Sequence, residues 1–184
     1  PRDIEGFRRA IRPETRLVFG ETIGNPGLEV LDLEAISAIA HEAGVPLMVD
    51  STFATPHLCR PFEHGCDIVV HSLTKYIGGH GTIVGGMIVD SGKFDWVANK
   101  ERFRRLNEPD VSYHGVVYTE AVGELAYIIR ARVVPLRNIG AAIAPQTAFL
   151  AIQGMETLPL RMDRICENTL AVAKHLQGHS QVEW

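Results

Sequence analysis

The chain has 184 residues and carries 18 lysines and arginines against 22 aspartates and glutamates, a formal net charge of −4. Hydrophobic residues make up 46 % and charged residues 22 %, an ordinary balance for a globular protein and too apolar for a disordered one. The acidic balance argues against nucleic-acid binding through bulk positive charge, and no apolar stretch of about 18 residues predicts a membrane span. We therefore expect no nucleic-acid or membrane partners. The three cysteines, at 59, 66 and 166, are an odd number without the spacing of a disulfide framework, which predicts reduced thiols in a cytoplasmic protein.

The predicted elements alternate between strands and helices. Helical spacing of apolar residues predicts a first helix at 4–11 and a second between Asp32, as its N-cap, and Gly44. Continuous apolar runs predict strands at 15–21, 45–49, 67–71 and 84–90, and the later part of the chain is predicted as helical at 120–137, 144–156 and 159–177. Such runs, joined by helices, are typical of a sheet covered on both faces. We therefore expect an α/β fold with a mostly parallel sheet flanked by helices.

Polar side chains follow the predicted strands at the point where each strand ends. The first strand leads from Glu21 to Asn25, the second ends at Asp50 and Thr52, and the third leads to Ser72, Thr74 and Lys75. Ligands of open α/β sheets bind outside the carboxyl ends of the strands. We therefore expect a carboxylate, several hydroxyls and a lysine to share one cleft.

A lysine among small hydroxyl residues suits a Schiff base with an aldehyde. If the aldehyde is pyridoxal 5′-phosphate (PLP), its pyridine nitrogen needs a carboxylate and its phosphate needs hydroxyl donors. Asp50, Lys75 and the pair Ser72 and Thr74 match these needs, and in an extended chain that pair points to the same side. Each residue alone has an ordinary explanation: lysines are commonly solvated, an aspartate at a strand end is commonly a turn or cap residue, and hydroxyls commonly bind nearby backbone groups. Composition and spacing therefore leave the cofactor open.

The other conspicuous residues carry weaker signals. The histidines at 57, 64, 71 and 80 lack the helical spacing of a zinc site, so no metal is expected and His71 is interpreted as a packed strand residue. The glycines at 78, 79, 81, 85 and 86 indicate either a mobile loop or a backbone that approaches a cofactor or a neighbouring subunit.

Three motifs, in this order, resemble the Cys/Met metabolism family of PLP-dependent enzymes of fold type I. They are Glu-Thr-Ile-Gly-Asn-Pro at 21–26, Val-Asp-Ser-Thr-Phe-Ala-Thr-Pro at 49–56 and Ser-Leu-Thr-Lys-Tyr at 72–76. The segment at 153–158 also resembles the family's lead into a long helix between two domains. The resemblance runs through nearly the whole chain.

The resemblance implies a role for each matching position. The assigned residues are Lys75 as the Schiff-base lysine and proton shuttle, Asp50 as the partner of the pyridine nitrogen, Thr52 against the cofactor ring, Ser72 and Thr74 at the phosphate, and Asn25 at the cofactor's 3-oxygen or the substrate carboxylate.

Within the family, the stretches at 77–82 and 89–96 are most similar to the O-acetylhomoserine sulfhydrylases. That similarity implies γ-replacement on O-acetyl-L-homoserine by sulfide or a thiol, giving homocysteine or methionine and acetate. The alternatives are a cystathionine γ-synthase or a γ-lyase acting on methionine or cystathionine, and, outside enzymes, an inactive interaction fragment. The family also implies a homo-oligomer, with a tetramer expected.

The chain departs from the family pattern at both ends. It begins at Pro1 rather than Met, and the family's segments before the first motif and its substrate-carboxylate arginine after Trp184 are absent. We therefore expect residues 1–158 to be the central part of a large PLP-binding domain, and 159–184 to be an inter-domain helix and the start of a small C-terminal domain. Activity of this stretch alone is not expected.

Overall fold

The sheet has the predicted mostly parallel topology. The structure, a computed structural model, describes residues 3–183, so the outer limits of the predicted domains, at 1 and 184, lie outside the described residues. Within that range a sheet in the order β1-β2-β3-β4 is formed by β1 (Val18–Glu21), β2 (Leu47–Asp50), β3 (Ile68–Ser72) and β4 (Gly86–Asp90). The first three strands are parallel and β4 is antiparallel to β3. The parallel pairing brings the carboxyl ends of β1, β2 and β3 to one edge.

Helices occupy most of the predicted helical segments. They are α1 (Ile4–Ala10), α2 (Leu33–Glu42), α3 (Thr55–Leu58), α4 (Arg104–Asn107), α5 (Tyr118–Val122), α6 (Ala126–Ala131), α7 (Arg137–Ile139), α8 (Pro145–Glu156) and α9 (Leu158–Gln177). The predicted N-cap of α2 is confirmed, because the Asp32 carboxylate accepts a hydrogen bond from the Ala35 amide at 3.0 Å.

The segment predicted as helical at 120–137 is broken into short pieces. Gly123 has a φ of 54°, which ends α5, and α6 follows after a single 3-10 turn. A wider turn with Pro135 inside then separates α6 from α7. Proline cannot donate the backbone hydrogen bond of a regular helix. The prediction that this segment is mostly helical is therefore confirmed, with breaks at Gly123 and around Pro135.

Apolar clusters hold the layers together. The helix α2 packs Ile36 and Ala40 against Leu47 and Val49 of the sheet. A second cluster packs Ile68 against the 94–134 region, which includes the buried aromatic residues Trp96 and Tyr118. A third cluster packs the residues after β3 against α8 and α9, and consists of Leu73, Ile77, Ile83, Ala151, Leu158 and Met162.

The long helix α9 contacts the rest of the chain mainly through its first turns. Leu158 and Met162 are buried, whereas Leu170, Val172 and Leu176 are exposed. Among residues 3–183, none of the helices is both long enough and apolar enough to traverse a bilayer.

Gly154 of α8 provides a test of the close packing in the third cluster. A Cβ at this position would lie 2.5 Å from the carbonyl oxygens of Ile77 and Gly78. We expect Gly154→Ala to lower the free energy of unfolding by about 1–3 kcal/mol, the usual cost of overpacking. Denaturant unfolding measures the change. Gly178→Ala is the matched control, since its Cβ would meet nothing nearer than 3.9 Å; equal stability of the two variants would contradict the packing argument.

Candidate functional site

A cleft of about 550 Å³ lies at the carboxyl ends of β1, β2 and β3. Its volume falls in the range of about 300–1,000 Å³ that small-molecule sites occupy. Its lining residues are Glu21, Ile23, Asn25, Asp50, Thr52, Phe53, Ser72, Lys75, Tyr76, Gly79 and Gly81. All the residues predicted at the site, except Thr74, therefore line one cleft.

A larger depression, of about 720 Å³, lies between Arg16 and the 101–106 segment. Two of its arginines are bound to other parts of the chain: Arg102 donates to the Ala43 carbonyl, and Arg104 pairs with Glu101 at 3.4 Å. The depression contains no lysine or hydroxyl side chain in its lining. The cleft at the strand ends has a lysine, carboxylates and hydroxyls in its lining, and it is therefore the candidate site.

Hydrogen bonds fix the ends of β2 and β3 side by side. The Asp50 carboxylate accepts from the Thr52 amide through Oδ1 at 2.8 Å, which turns the chain sharply after β2. The Thr52 hydroxyl oxygen in turn accepts from the Ser72 amide at 2.7 Å, and the Ser51 amide donates to the Val70 carbonyl at 3.0 Å. These contacts hold Asp50, Thr52 and Ser72 in one group.

Lys75 lies in an irregular turn that directly follows β3. The turn spans Leu73–Ile77, and Lys75 within it has a non-helical conformation, with φ −92° and ψ −130°. The amides of Gly78 and Gly79 close the turn by donating to the carbonyls of Leu73 and Lys75 at 2.9 and 2.8 Å. The Lys75 side chain is exposed and lines the cleft. The turn therefore presents a primary amine opposite the end of β2.

Lys75 and Asp50 line the same cleft without neutralising each other. Among residues 3–183, no ion pair joins the Lys75 amine to Asp50 or to Glu21. Within the same part of the chain, Asp50 Oδ1 is bonded to the Thr52 amide and Oδ2 has no hydrogen-bond partner. A free amine and a free carboxylate oxygen thus face one space.

Thr74 differs from its prediction. An extended chain was expected to point Ser72 and Thr74 to the same side, but the helical turn begins at Leu73, immediately after Ser72. The Thr74 hydroxyl oxygen accepts from the Gly85 amide at 3.1 Å and its proton is directed to the Gly85 carbonyl at 3.3 Å. The geometric argument for pairing Ser72 with Thr74 was therefore wrong. The role at the phosphate that the resemblance assigns to Thr74 stays a prediction.

Several cleft residues were not among the predicted site residues. Glu21 accepts a hydrogen bond from the Asn25 amide through Oε2 at 2.9 Å, so it holds the loop that carries Asn25. Phe53 and Tyr76 meet edge to face with ring centroids 5.8 Å apart, and form an aromatic wall. A signal for all three existed, since each directly ends a strand or neighbours a predicted site residue in the sequence.

The donor set of the cleft fits PLP. The amine of Lys75 suits the aldehyde carbon, the unpartnered Oδ2 of Asp50 suits a protonated pyridine nitrogen, and the Ser72 hydroxyl suits an anionic oxygen. In contrast, residues 3–183 contain no group of three or more His, Cys, Asp or Glu side chains that could hold a metal ion.

His71 precedes the cleft residue Ser72 on β3 and is packed, as predicted. It is buried, and its Nδ1 lies 3.1 Å from the Ser51 carbonyl, to which a protonated Nδ1 donates. Burial lowers the pKa of His71, although the Ser51 contact and the negative charge of Asp50 oppose the shift. The imidazole therefore favours its neutral form.

The sequence is similar to a known enzyme family over its whole length. The family model for "Cys/Met metabolism PLP-dependent enzyme" matches residues 1–184. The chain is 49 % identical to an O-acetyl-L-homoserine sulfhydrylase of Leptospira meyeri, over 99 % of this chain and 42 % of that protein. It is 53 % identical to a homocysteine synthase of Schizosaccharomyces pombe, over 99 % of this chain and 43 % of that protein. The chain thus spans about two fifths of the length of these curated relatives.

A solved structure has the same fold. It is from Campylobacter jejuni, is described as an O-acetylhomoserine (thiol)-lyase and contains N′-pyridoxyl-lysine-5′-monophosphate. The TM-score is 0.91 at 37 % sequence identity, and the match covers 97 % of this chain and 43 % of that one. The likeness confirms the α/β fold that the sequence predicts.

The buried imidazole of His71 predicts a pH dependence of stability. Its folded-state pKa is lowered, so near the unfolded value of about 6.5 the folded protein binds fewer protons than the unfolded one, and stability falls as pH falls. Asparagine can place an amide donor near the position of Nδ1 without titrating. We expect the stability advantage of the natural protein over His71→Asn to be largest above about pH 7 and to shrink towards about pH 5. Denaturant unfolding across this range measures it, and a constant difference would contradict the assignment.

Proposed function

Since the chain belongs to the Cys/Met metabolism PLP-dependent enzyme family, we propose that it forms the cofactor-binding core of a transferase acting on O-acetyl-L-homoserine. The second substrate is sulfide or a thiol, and the products are homocysteine or methionine and acetate. The observation that carries the proposal is the meeting of Lys75 with Asp50, Thr52 and Ser72 in one cleft. The name of the relative at 49 % identity supports the substrate, and that of the relative at 53 % identity supports homocysteine as the product.

Lys75 and Asp50 divide the chemistry between the two ends of the cofactor. When bound, PLP supplies an electron sink for negative charge that develops on the substrate carbons. The Lys75 amine would hold the cofactor at its aldehyde carbon and, once displaced from it by the amino group of the substrate, would move protons on the substrate. The Asp50 carboxylate holds a proton on the pyridine nitrogen, because a nearby negative charge favours the charged form of that group.

The remaining cleft residues bind and orient. We assign Ser72 and Thr74 to the phosphate and Thr52 to the face of the ring, as the resemblance implies. Asn25 is assigned to the 3-oxygen or the substrate carboxylate, and its bond to Glu21 supports this by fixing the backbone of its loop. The Ser72 amide, bound to the Thr52 hydroxyl, keeps these groups in register.

The same proposal extends to the whole protein. We place residues 1–158 in the large domain and 159–184 in an inter-domain helix and the start of a small domain; the exposed apolar residues of α9 after Met162 support this division. A homotetramer and a cytoplasmic location complete the proposal, the first from the family resemblance and the second from the composition of the chain.

The activity test uses the full-length protein with different substrates. We expect homocysteine and acetate from O-acetylhomoserine plus sulfide, and no turnover of methionine or cystathionine alone. Lys75→Ala abolishes the reaction because the amine has no substitute. Borohydride reduction of the natural protein should attach the pyridoxyl group to Lys75, as peptide mass spectrometry would show. Turnover of methionine or cystathionine alone would identify a γ-lyase instead, and full activity of Lys75→Ala would refute its role.

Asp50→Asn separates cofactor binding from catalysis. The amide keeps the oxygen that the Thr52 amide binds but loses the charge, so we expect the cofactor to stay bound while kcat falls about 100-fold or more, the scale of losing one preorganised group in an active site. Absorbance and steady-state kinetics measure the two effects. Asp95→Asn is the matched control, because Asp95 likewise accepts from the amide two residues on, at 3.0 Å from Val97, but lies outside the cleft. Equal kcat values of the two variants would contradict the role of Asp50.

A further inference from the structure

Arg161, in the first turns of α9, reaches the turn that carries Lys75. Its Nη1 donates to the Tyr76 carbonyl at 2.6 Å, and its Nη2 lies 3.4 Å from the Ile77 carbonyl. The same Nη2 donates to the Gly154 carbonyl of α8 at 2.6 Å. One guanidinium therefore joins the Lys75 turn to the adjoining ends of α8 and α9.

The Tyr76 and Ile77 carbonyls that Arg161 binds have no hydrogen-bond partner within the interrupted turn. Lys75 departs from helical geometry, and the amides of Gly78 and Gly79 then close back onto the carbonyls of Leu73 and Lys75. Carbonyls at the end of a helical turn have no partner inside it. A charged donor forms hydrogen bonds roughly twice as strong as a neutral one, and the planar guanidinium serves several acceptors in fixed directions. Arg161 thus replaces the hydrogen bonds that a continuing helix would supply.

Two glycines permit this close approach. A Cβ at Gly79, whose φ is +75°, would lie 2.5 Å from Nη1 of Arg161, and a Cβ at Gly154 would lie 2.5 Å from the Ile77 carbonyl. Gly79 also lines the cleft. The guanidinium is therefore directly behind the cleft wall, one residue layer from the space that Lys75 faces.

The arrangement differs from an ordinary ion pair on a helix surface. In the described part of the chain, Arg161 makes no ion pair with a carboxylate, and its other contact is from Nε to the Thr157 hydroxyl at 3.1 Å. Arg164, on the same helix, pairs with Glu167 at 3.4 Å, and both side chains are largely exposed. Nη1 and Nη2 of the half-buried Arg161 are therefore directed to backbone carbonyls, and its Nε to the Thr157 hydroxyl.

We propose that Arg161 is a positioning residue for Lys75: by binding the Tyr76 and Ile77 carbonyls it holds the turn that aims the amine into the cleft, and ties that turn to α9. The proposal rests on the proposed function of Lys75. Misplacement of a reacting group by about 1 Å can cost roughly 100-fold in rate. A contact behind the cleft wall can therefore control catalysis without touching the substrate.

The test compares Arg161→Ala with Arg164→Ala in the full-length holoenzyme. Amide hydrogen exchange, measured also without the cofactor, should become about tenfold or more faster at Gly78 and Gly79 in Arg161→Ala, since their closing bonds lose support. We expect kcat to fall about tenfold or more with KM for O-acetylhomoserine within about threefold, because the effect is on the reacting amine. The pH midpoint of the visible cofactor band should also move. Arg164→Ala should match the natural protein in all of these.

Each other result has a defined meaning. Natural exchange at Gly78 and Gly79, or unchanged kcat despite faster exchange, would overturn the proposal. If Arg161→Ala does not fold, Arg161→Lys is tested instead, because lysine keeps the charge but lacks the planar guanidinium with its several fixed donors. A folded Arg161→Lys variant with faster exchange and reduced kcat supports the proposal, and one with natural exchange and kcat overturns it. Failure of the natural enzyme to use O-acetylhomoserine would refute the proposed function, whereas exchange and the cofactor band would still test the contact of Arg161 with the turn.

Discussion

The hydrogen bond from the Ser72 amide to the Thr52 hydroxyl, at 2.7 Å, is the contact on which the site depends. Parallel pairing brings the ends of β2 and β3 to one edge, but a sheet alone does not say how the chain leaves that edge. The Asp50 carboxylate accepts a hydrogen bond from the Thr52 amide and so turns the segment that follows β2. The Thr52 hydroxyl then binds the Ser72 amide at the end of β3. Asp50, Thr52 and Ser72 are assigned to different parts of the cofactor, and they also hydrogen-bond to one another through side chain and backbone. Their geometry is therefore set before any ligand arrives.

A second constraint comes from the opposite side of the Lys75 turn. There the backbone carbonyls of the turn are the groups in contact. Gly154 allows α8 to approach the Ile77 and Gly78 carbonyls, and the guanidinium of Arg161 donates to the Tyr76 carbonyl. Close packing transmits small displacements because interiors have little free volume. The turn is held from the sheet at Ser72 and from the helices at Tyr76 and Ile77, while the Lys75 side chain is exposed to the cleft.

The sequence predicts well what depends on short-range pattern and on topology. Strand ends at Asp50 and Ser72 follow from apolar runs, and their meeting follows from parallel pairing, so the cleft was predictable. The turn at Thr74 was not, because its direction is set by hydrogen bonds to Gly85, eleven residues later along the chain. The contact of Arg161 with Tyr76 spans 85 positions and has no periodic signature. By contrast, the breaks at Gly123 and Pro135 have local signals, because glycine and proline commonly interrupt helices.

The absence of an ion pair between Lys75 and Asp50 in the described part of the chain explains why one cleft can serve both residues. A direct pair would hold the amine protonated and the carboxylate occupied, and each would favour the charged form of the other. Here Asp50 is held by the Thr52 amide and Lys75 is carried by its own turn, so neither group needs the other for its position. Under the proposed function, a flat ligand that binds the amine at one end and the carboxylate at the other fits in the cleft that both residues line.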